Sequence, residues 1–156
     1  MIYICFSKCE EDVKNSLKIA EELSLWFTKE ALNNMKKDFS SHNLIVCKNE
    51  TETVGFLCYS KLNNKSDKNM KILWMGVKKE FQRNGIGKRL LNFLVNEAEE
   101  LGISSILAET LTDKDDYEPY IPTRDFYYKN GFKKIGYKPA EKQGWDDQII
   151  LEKKLK

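Results

Sequence analysis

Gln82-Arg83-Asn84-Gly85-Ile86-Gly87 and the Lys88 that follows are the residues whose order speaks most directly of chemistry. They come after an apolar run, Ile72 to Val77. The segment beyond them carries apolar residues three and four apart at Ile86, Leu90, Leu94, Ala98 and Leu101. This reads as a strand, a basic turn and a helix opening on Gly85 and Gly87. The first turn of a helix leaves backbone N–H groups without internal partners, and the helix dipole adds partial positive charge at the same end. The chemistry expected there is capture of an anion, most naturally a phosphate. Lys78, Lys79, Arg83, Lys88 and Arg89 add positive charge, although the residues outside the loop itself read as solvated surface.

Spacing separates the known uses of such a turn. The dinucleotide pattern G-x-G-x-x-G is broken because position 90 is Leu. The P-loop pattern G-x-x-x-x-G-K-[ST] is broken twice, since position 82 is Gln and Arg89 follows Lys88. Further along, Asp113, Asp115, Asp116 and Glu118 stand close together beside one lysine, and their summed potential favours a cationic ligand. Metal chemistry finds no support: Cys5, Cys9, Cys47 and Cys58 form no C-x-x-C pair, and His42 is the only histidine. The cysteines read as buried reduced thiols.

The elements that must position these residues belong to one globular domain spanning 1–156. The chain has 156 residues, 41% hydrophobic and 32% charged, which suits a packed core under a well-solvated surface. Its net charge of +2 makes no case for nucleic acid or a membrane as partner. The start, MIYICFSKCEEDVKNS, lacks a basic stretch leading into a long apolar core, and no run of about eighteen apolar residues occurs. A cytoplasmic location is the expectation.

In chain order, Ile2 to Phe6 is a candidate edge strand, and Glu10 to Leu25 a helix with three acids in its first turn. Thr28 suits the N-cap of a second helix carrying Ala31, Leu32, Met35 and Phe39. Trp26 and Phe27, between the two, read as core or groove wall. Leu44 to Cys47 and Val54 to Tyr59 form a hairpin around Asn49 to Glu52, and Leu62 to Asn69 is a polar loop. Met70 to Val77 leads into the basic turn. The helix from Gly85 closes at Gly102, and Ser104 to Thr110 completes a βαβ unit whose two strands must be parallel. A short helix over Thr123 to Asn130, closed by Gly131, precedes strands Phe132 to Tyr137 and Gln148 to Leu151.

The Q/R-x-x-G-x-G/A order of Gln82 to Gly87, five residues after a strand-terminal Val, closely resembles the acetyl-CoA-binding motif of the GNAT acyltransferases. Phe126-Tyr127-Tyr128-Lys129-Asn130-Gly131-Phe132 is similar to that superfamily's F-Y-x-x-x-G-F segment. The motifs cover about residues 70 to 138, and the N-terminal helices and hairpin follow the family's order. The resemblance implies an α/β (α+β) fold: a mixed, mostly antiparallel seven-stranded sheet flanked by about four helices, with a splayed central parallel pair. It implies acetyl-CoA as co-substrate. Backbone groups at Met75 and Val77 would pair with its pantetheine arm, and Gln82, Arg83, Asn84, Gly85, Ile86, Gly87 and Lys88 would surround its pyrophosphate.

The implied activity is N-acetyl transfer from acetyl-CoA to a primary amine by direct attack in a ternary complex. Tyr127 matches the family's usual general acid for the departing thiolate, and Tyr128 is its neighbouring alternative. Helical neighbours diverge by about 100°, so only one of them faces the thioester. Two positions depart from the pattern. Lys71 stands where several GNAT enzymes carry a basic Glu, and Tyr120 stands where many carry a CoA-contacting Asn. Glu109, at the end of the parallel strand, is the first substitute base, with Asp113 to Glu118 behind it. The acidic loop points to a cationic small-molecule or peptide amine as acceptor. Dimers occur in the superfamily, so a homodimer is allowed, with apolar surface near Trp145 as a candidate contact. Two other classes compete: an acyl-CoA-binding or regulatory module with weak catalysis, motivated by Lys71, and a nucleic-acid-binding or structural protein, disfavoured by the near-neutral charge.

Overall fold

The computed structural model describes residues 1–7, 9–61, 68–114 and 117–156. Asp115, Asp116 and most of the expected loop from Leu62 lie outside the described residues. Seven strands form one mixed sheet in the order β1-β2-β3-β4-β5-β7-β6, with β4 and β5 as the parallel pair and four α-helices. This is the architecture expected from the βαβ unit and from the motif resemblance. The elements are β1 (Ile2–Ser7), α1 (Glu10–Glu22), α2 (Lys29–Ser41), β2 (Asn43–Asn49), β3 (Glu52–Lys61) and β4 (Asn69–Val77). After a 3₁₀ turn at Lys79–Phe81 come α3 (Ile86–Glu100), β5 (Ser105–Leu111), α4 (Tyr120–Lys129), β6 (Lys133–Lys138) and β7 (Gln148–Lys154). Two compact units divide the chain, Met1–Ser60 with Ile72–Glu97, and Lys61–Lys71 with Ala98–Lys156.

In the first unit, Ile19, Ala20 and Leu23 of α1 and its cap pack with Met35 and Phe39 of α2 over Leu44, Val46, Phe56 and Cys58. Met35 and Phe39, anticipated on the apolar stripe of α2, are buried, whereas of Val13, Leu17, Ala20 and Leu23, anticipated for the first helix, Ala20 and Leu23 are buried and Val13 and Leu17 only partly. Thr28 caps α2 as expected, its Oγ1 accepting the Ala31 N–H at 3.1 Å. The first helix stops at Glu22 rather than Leu25, because Leu23 leaves helical geometry and its carbonyl takes the N–H groups of Trp26 and Phe27. The β2–β3 hairpin turns on Glu50 and Thr51 alone, with Glu50 at a φ of 58°. A buried polar cluster holds the start of α1. Asp12 is paired to Lys48 at 2.7 Å, accepts a hydrogen bond from Ser7 Oγ, and accepts one from Thr53 Oγ1 at 3.4 Å. Burial alone would raise the Asp12 carboxyl, but Lys48 and Ser7 outweigh it and hold it below the usual carboxylate range.

In the second unit, β5 pairs antiparallel with β7 over its whole length, and β6 pairs with β7 across a bulge between Lys134 and Gly136. Ile106, Ala108, Phe132, Ile149 and Leu151 are buried. The fourth helix begins at Tyr120, three residues before the expected Thr123, so Pro122 is its third residue. Its missing N–H costs nothing there, since first-turn donors have no helical acceptor. Gly131 ends it at a φ of 90°, the left-handed stop anticipated from the sequence. Cys47 and Cys58 are buried, whereas Cys9 is exposed, which corrects the reading of all four thiols as buried. Among the described residues no helix is long and apolar enough to cross a membrane.

Candidate active site

The turn after β4 is built from its own backbone and from short-range side-chain braces. Arg83 and Gly85 both adopt positive φ, 65° and 76°, so N–H groups in this stretch turn toward a common side, as in anion-binding nests. A Cβ added to Gly85 would meet nothing within 4 Å, so the backbone angle and not crowding is what demands glycine there. The first α-helical bond after the turn runs from Arg89 N–H to Gly85 O at 3.0 Å. The amides of Ile86, Gly87 and Lys88 precede it and, by helix geometry, have no helical acceptor. These residues fit a pyrophosphate, which requires donors at a helix start and no carboxylate among them.

Side chains then stiffen the turn. Gln82 Nε2 donates to Val77 O at 2.9 Å, and Asn84 Nδ2 donates to Phe81 O at 3.3 Å and Gln82 O at 3.4 Å. Gln82 and Asn84 thus act on their own turn. Arg83 and Lys88 are exposed, and Arg89 Nη2 reaches Ile2 O at 3.2 Å. Lys78 is paired to Glu52 at 2.7 Å, which removes one of the five expected charges from the ring around the turn. Met75 and Val77 are half-buried near the end of β4.

The second unit carries Glu109, Tyr127 and the acidic loop. Tyr127 is 7% exposed, its ring edge-on to Phe132 at 5.1 Å and to Phe126 at 5.5 Å, while Tyr128 is 41% exposed. Of the two neighbouring phenols, Tyr127 is therefore the buried one and Tyr128 the exposed one. Its hydroxyl makes no hydrogen bond among the described residues, and desolvation pushes it up to about 12, with nearby Tyr120 adding to the rise. Such a phenol stays protonated at neutral pH and so carries a proton it could donate. Tyr120 is half-buried and raised by desolvation first, with its ring 6.0 Å from that of Tyr117.

Glu109 sits between two lysines: Lys71 Nζ lies 2.9 Å from Oε1 and Lys138 Nζ 3.1 Å from Oε2. Desolvation would raise its carboxyl, but the two lysines outweigh that and hold it below its ordinary value. Lys71, noted above as the departure from the family's base position, is thus the partner of the residue chosen to replace that base. Of the acidic loop, Asp113 is paired to Lys134 at 2.7 Å and accepts from the Tyr137 hydroxyl at 3.3 Å; Glu118 is exposed. Lys134 depresses the Asp113 carboxyl, and Lys114 and Lys134 both stand over the Tyr137 ring. One of the four carboxylates expected to attract a cation is therefore already neutralised.

Sequence reasoning missed three residues here. Lys138 lies 29 positions from Glu109, and no local pattern joins them. Thr110 is buried and its hydroxyl has no partner among the described residues, so it is available to a ligand or a bound water. Arg124 is 7% exposed and donates from Nη1 to Leu111 O and Thr112 O, both at 3.2 Å. Its place three residues before Tyr127 on one helix face was a usable signal.

The strand order, with β4 and β5 as the parallel pair and a left-handed turn before α3, is that of an α/β acetyltransferase fold. The chain belongs to the GNAT acetyltransferase family, whose acetyltransferase (GNAT) domain matches residues 40–134. A GNAT-family structure from Desulfovibrio desulfuricans superposes with a TM-score of 0.86 at 20% identity, covering 99% of each chain. The ribosomal-protein-S18-alanine N-acetyltransferase from Escherichia coli is similar at a TM-score of 0.76 and 16% identity, covering 99% of this chain and 94% of that one. An aminoglycoside 6'-N-acetyltransferase complexed with coenzyme A is similar at 0.72 and 17%, covering 99% and 96%. No curated protein matches the sequence.

Proposed function

We propose that the protein is an N-acetyltransferase that moves the acetyl group of acetyl-CoA to a primary amine by direct attack, acting as a single domain. The observation that carries this reading is the Gln82–Gly85 turn, with two left-handed residues at a strand-to-helix junction and first-turn amides directed at an anion. Relatives of the same fold that act on a ribosomal-protein alanine and on an aminoglycoside support an amine as acceptor.

Acetyl-CoA supplies an activated acyl group and a thiolate leaving group. The amides of Arg83 to Lys88 would hold its pyrophosphate, and the backbone of Met75 and Val77 its pantetheine arm. The amine nitrogen forms a bond to the carbonyl carbon, the C–S bond breaks, and Tyr127 donates its phenolic proton to the sulfur. The proton lost by the amine passes to Glu109 or to water at Glu109. A carboxylate held below its usual range is a weak base for an ammonium near pKa 10.4, the gap being about six units. Glu109 therefore orients the amine and receives the proton late, and turnover follows the free-amine fraction. For an alkylamine, kcat/KM should climb about tenfold per pH unit from 6.5 to 9, and a plateau near 7 would assign a different, stronger base. The acceptor keeps its expected cationic character through its own ammonium, with less help from the loop now that Asp113 is paired.

A thermal-shift titration with acetyl-CoA tests the first half. Saturation at about a hundred times Kd should add about 2.7 kcal/mol, and no shift would reject the reading. Thiol release against a panel of polyamines, amino sugars and N-terminal peptides tests the second. A shift without turnover on any amine would favour an acyl-CoA-binding module, the reading that the Lys71–Glu109 pair supports.

A further inference from the structure

Arg124 is buried in α4 and donates to carbonyls of another segment. The β5–β7 ladder ends at the Leu111–Gln148 pair, and the Thr112 N–H is taken by Asp147 O at 3.0 Å. The carbonyls of Leu111 and Thr112, at the point where the strand gives way to the acidic loop, are met by one guanidinium nitrogen. A buried guanidinium loses hydration worth several kcal/mol, so this geometry is maintained against a cost. Its value lies in what it fixes: the rotation and height of α4 against the end of β5.

Arg124 supplies an anchor near the front of that helix. At its far end the fixtures are the Phe132 N–H on Tyr127 O at 3.0 Å and Lys153 Nζ on Asn130 O at 2.6 Å. Residues three apart on a helix share a face and differ in height by about 4.5 Å, so Arg124 and Tyr127 point to the same side. A displacement of about 1 Å at a reacting group costs about a hundredfold in rate, so contacts that fix α4 bear on Tyr127.

We propose that Arg124 is a positioning residue that sets the Tyr127 hydroxyl by locking α4 onto the Leu111 and Thr112 carbonyls. The same contact fixes where the loop from Asp113 leaves the sheet. This inference rests on Tyr127 being the acid of the proposed reaction.

The test is a double-mutant cycle on the full-length protein: wild type, Arg124→Gln, Arg124→Lys, Tyr127→Phe and Arg124→Gln/Tyr127→Phe. Each is measured for kcat, for KM toward acetyl-CoA and for Tm, with the amine that wild type turns over. Arg124→Gln is expected to lower kcat about thirtyfold with KM within twofold, and Arg124→Lys, which keeps a donor, to recover part of the loss. The double variant is expected to be no slower than Tyr127→Phe alone, because one pathway is lost once. Multiplicative losses overturn the proposal, as does a folded Arg124→Gln with wild-type kcat. Collapse of Tm in both Arg124 variants makes Arg124 a stability residue and also overturns it. A normal kcat in Tyr127→Phe removes the acid on which the inference rests. A wild type that binds acetyl-CoA but acetylates no amine overturns the reaction itself, which the thermal shift distinguishes from a failure of Arg124.

Discussion

The Gln82–Lys88 turn and the β5–α4 region solve different problems with different parts of the polypeptide. In the proposed reaction the turn would meet an anion with backbone amides, and its supporting contacts span two to five residues, Gln82 to Val77 and Asn84 to Phe81. The β5–α4 region would supply side chains whose partners are remote, Glu109 with Lys138 and Arg124 with Leu111. A backbone site needs only the right dihedral angles in the right order. A side-chain site needs separate elements brought to within a few ångströms, and its pKa values follow from that assembly. Binding and turnover should therefore fail separately.

Tyr127→Phe is the sharpest cut. It should lower kcat about a hundredfold while leaving acetyl-CoA affinity within twofold, read by steady-state kinetics and titration calorimetry. The same variant has a second signature. The folded state holds this phenol protonated up to about 12, whereas an unfolded one ionises near 10. The native state thus binds more protons in that window and loses stability as pH rises through it, so Tyr127→Phe should flatten the alkaline decline.

Gly85→Val attacks the other region. A β-branched residue at a φ of 76° costs about 1–2 kcal/mol, so acetyl-CoA should bind about tenfold more weakly, with kcat at saturation little changed. Should Tyr127→Phe abolish binding, or Gly85→Val abolish kcat at saturation, the two regions are not separable and the comparison breaks.

Glu109→Gln is expected to act more mildly on rate, about fivefold in kcat/KM, because Glu109 orients and does not drive proton transfer. Its clearer mark is on stability. The folded carboxyl is lowered, so its contribution is present above the unfolded pKa near 4.3 and disappears as pH falls through the folded value. Denaturant titrations should show the variant weaker than wild type at pH 7, with the difference closing as pH falls through the folded value. Smallest of all, Lys134→Gln breaks an exposed pair with Asp113 and should leave kcat within twofold and Tm unchanged.

Much of the architecture was legible because it is periodic or local. Ala20, Leu23, Met35 and Phe39 lie on the buried faces that the helical spacing marks, and Thr28, Gly102 and Gly131 bound their helices as those residue types do. Errors gathered at boundaries. The first helix gives out at Glu22 because Leu23 turns the chain toward Trp26, and α4 starts before Pro122 because a first-turn proline is tolerated. The pairing of Lys71 with Glu109 was out of reach, since it depends on β4 and β5 lying side by side in the sheet.

By itself the sequence determined the βαβ unit, the glycine turn, the family resemblance and the tyrosine pair, all of which follow from spacing that a chain carries before it folds. Only the tertiary structure decided that Tyr127 and not Tyr128 is the buried phenol and that Glu109 is held ionised by Lys71 and Lys138. Only it decided that Arg124 ties α4 to the end of β5. Desolvation and Coulomb interactions act over a few ångströms of space, and for these residues that space is filled by segments far away in the chain.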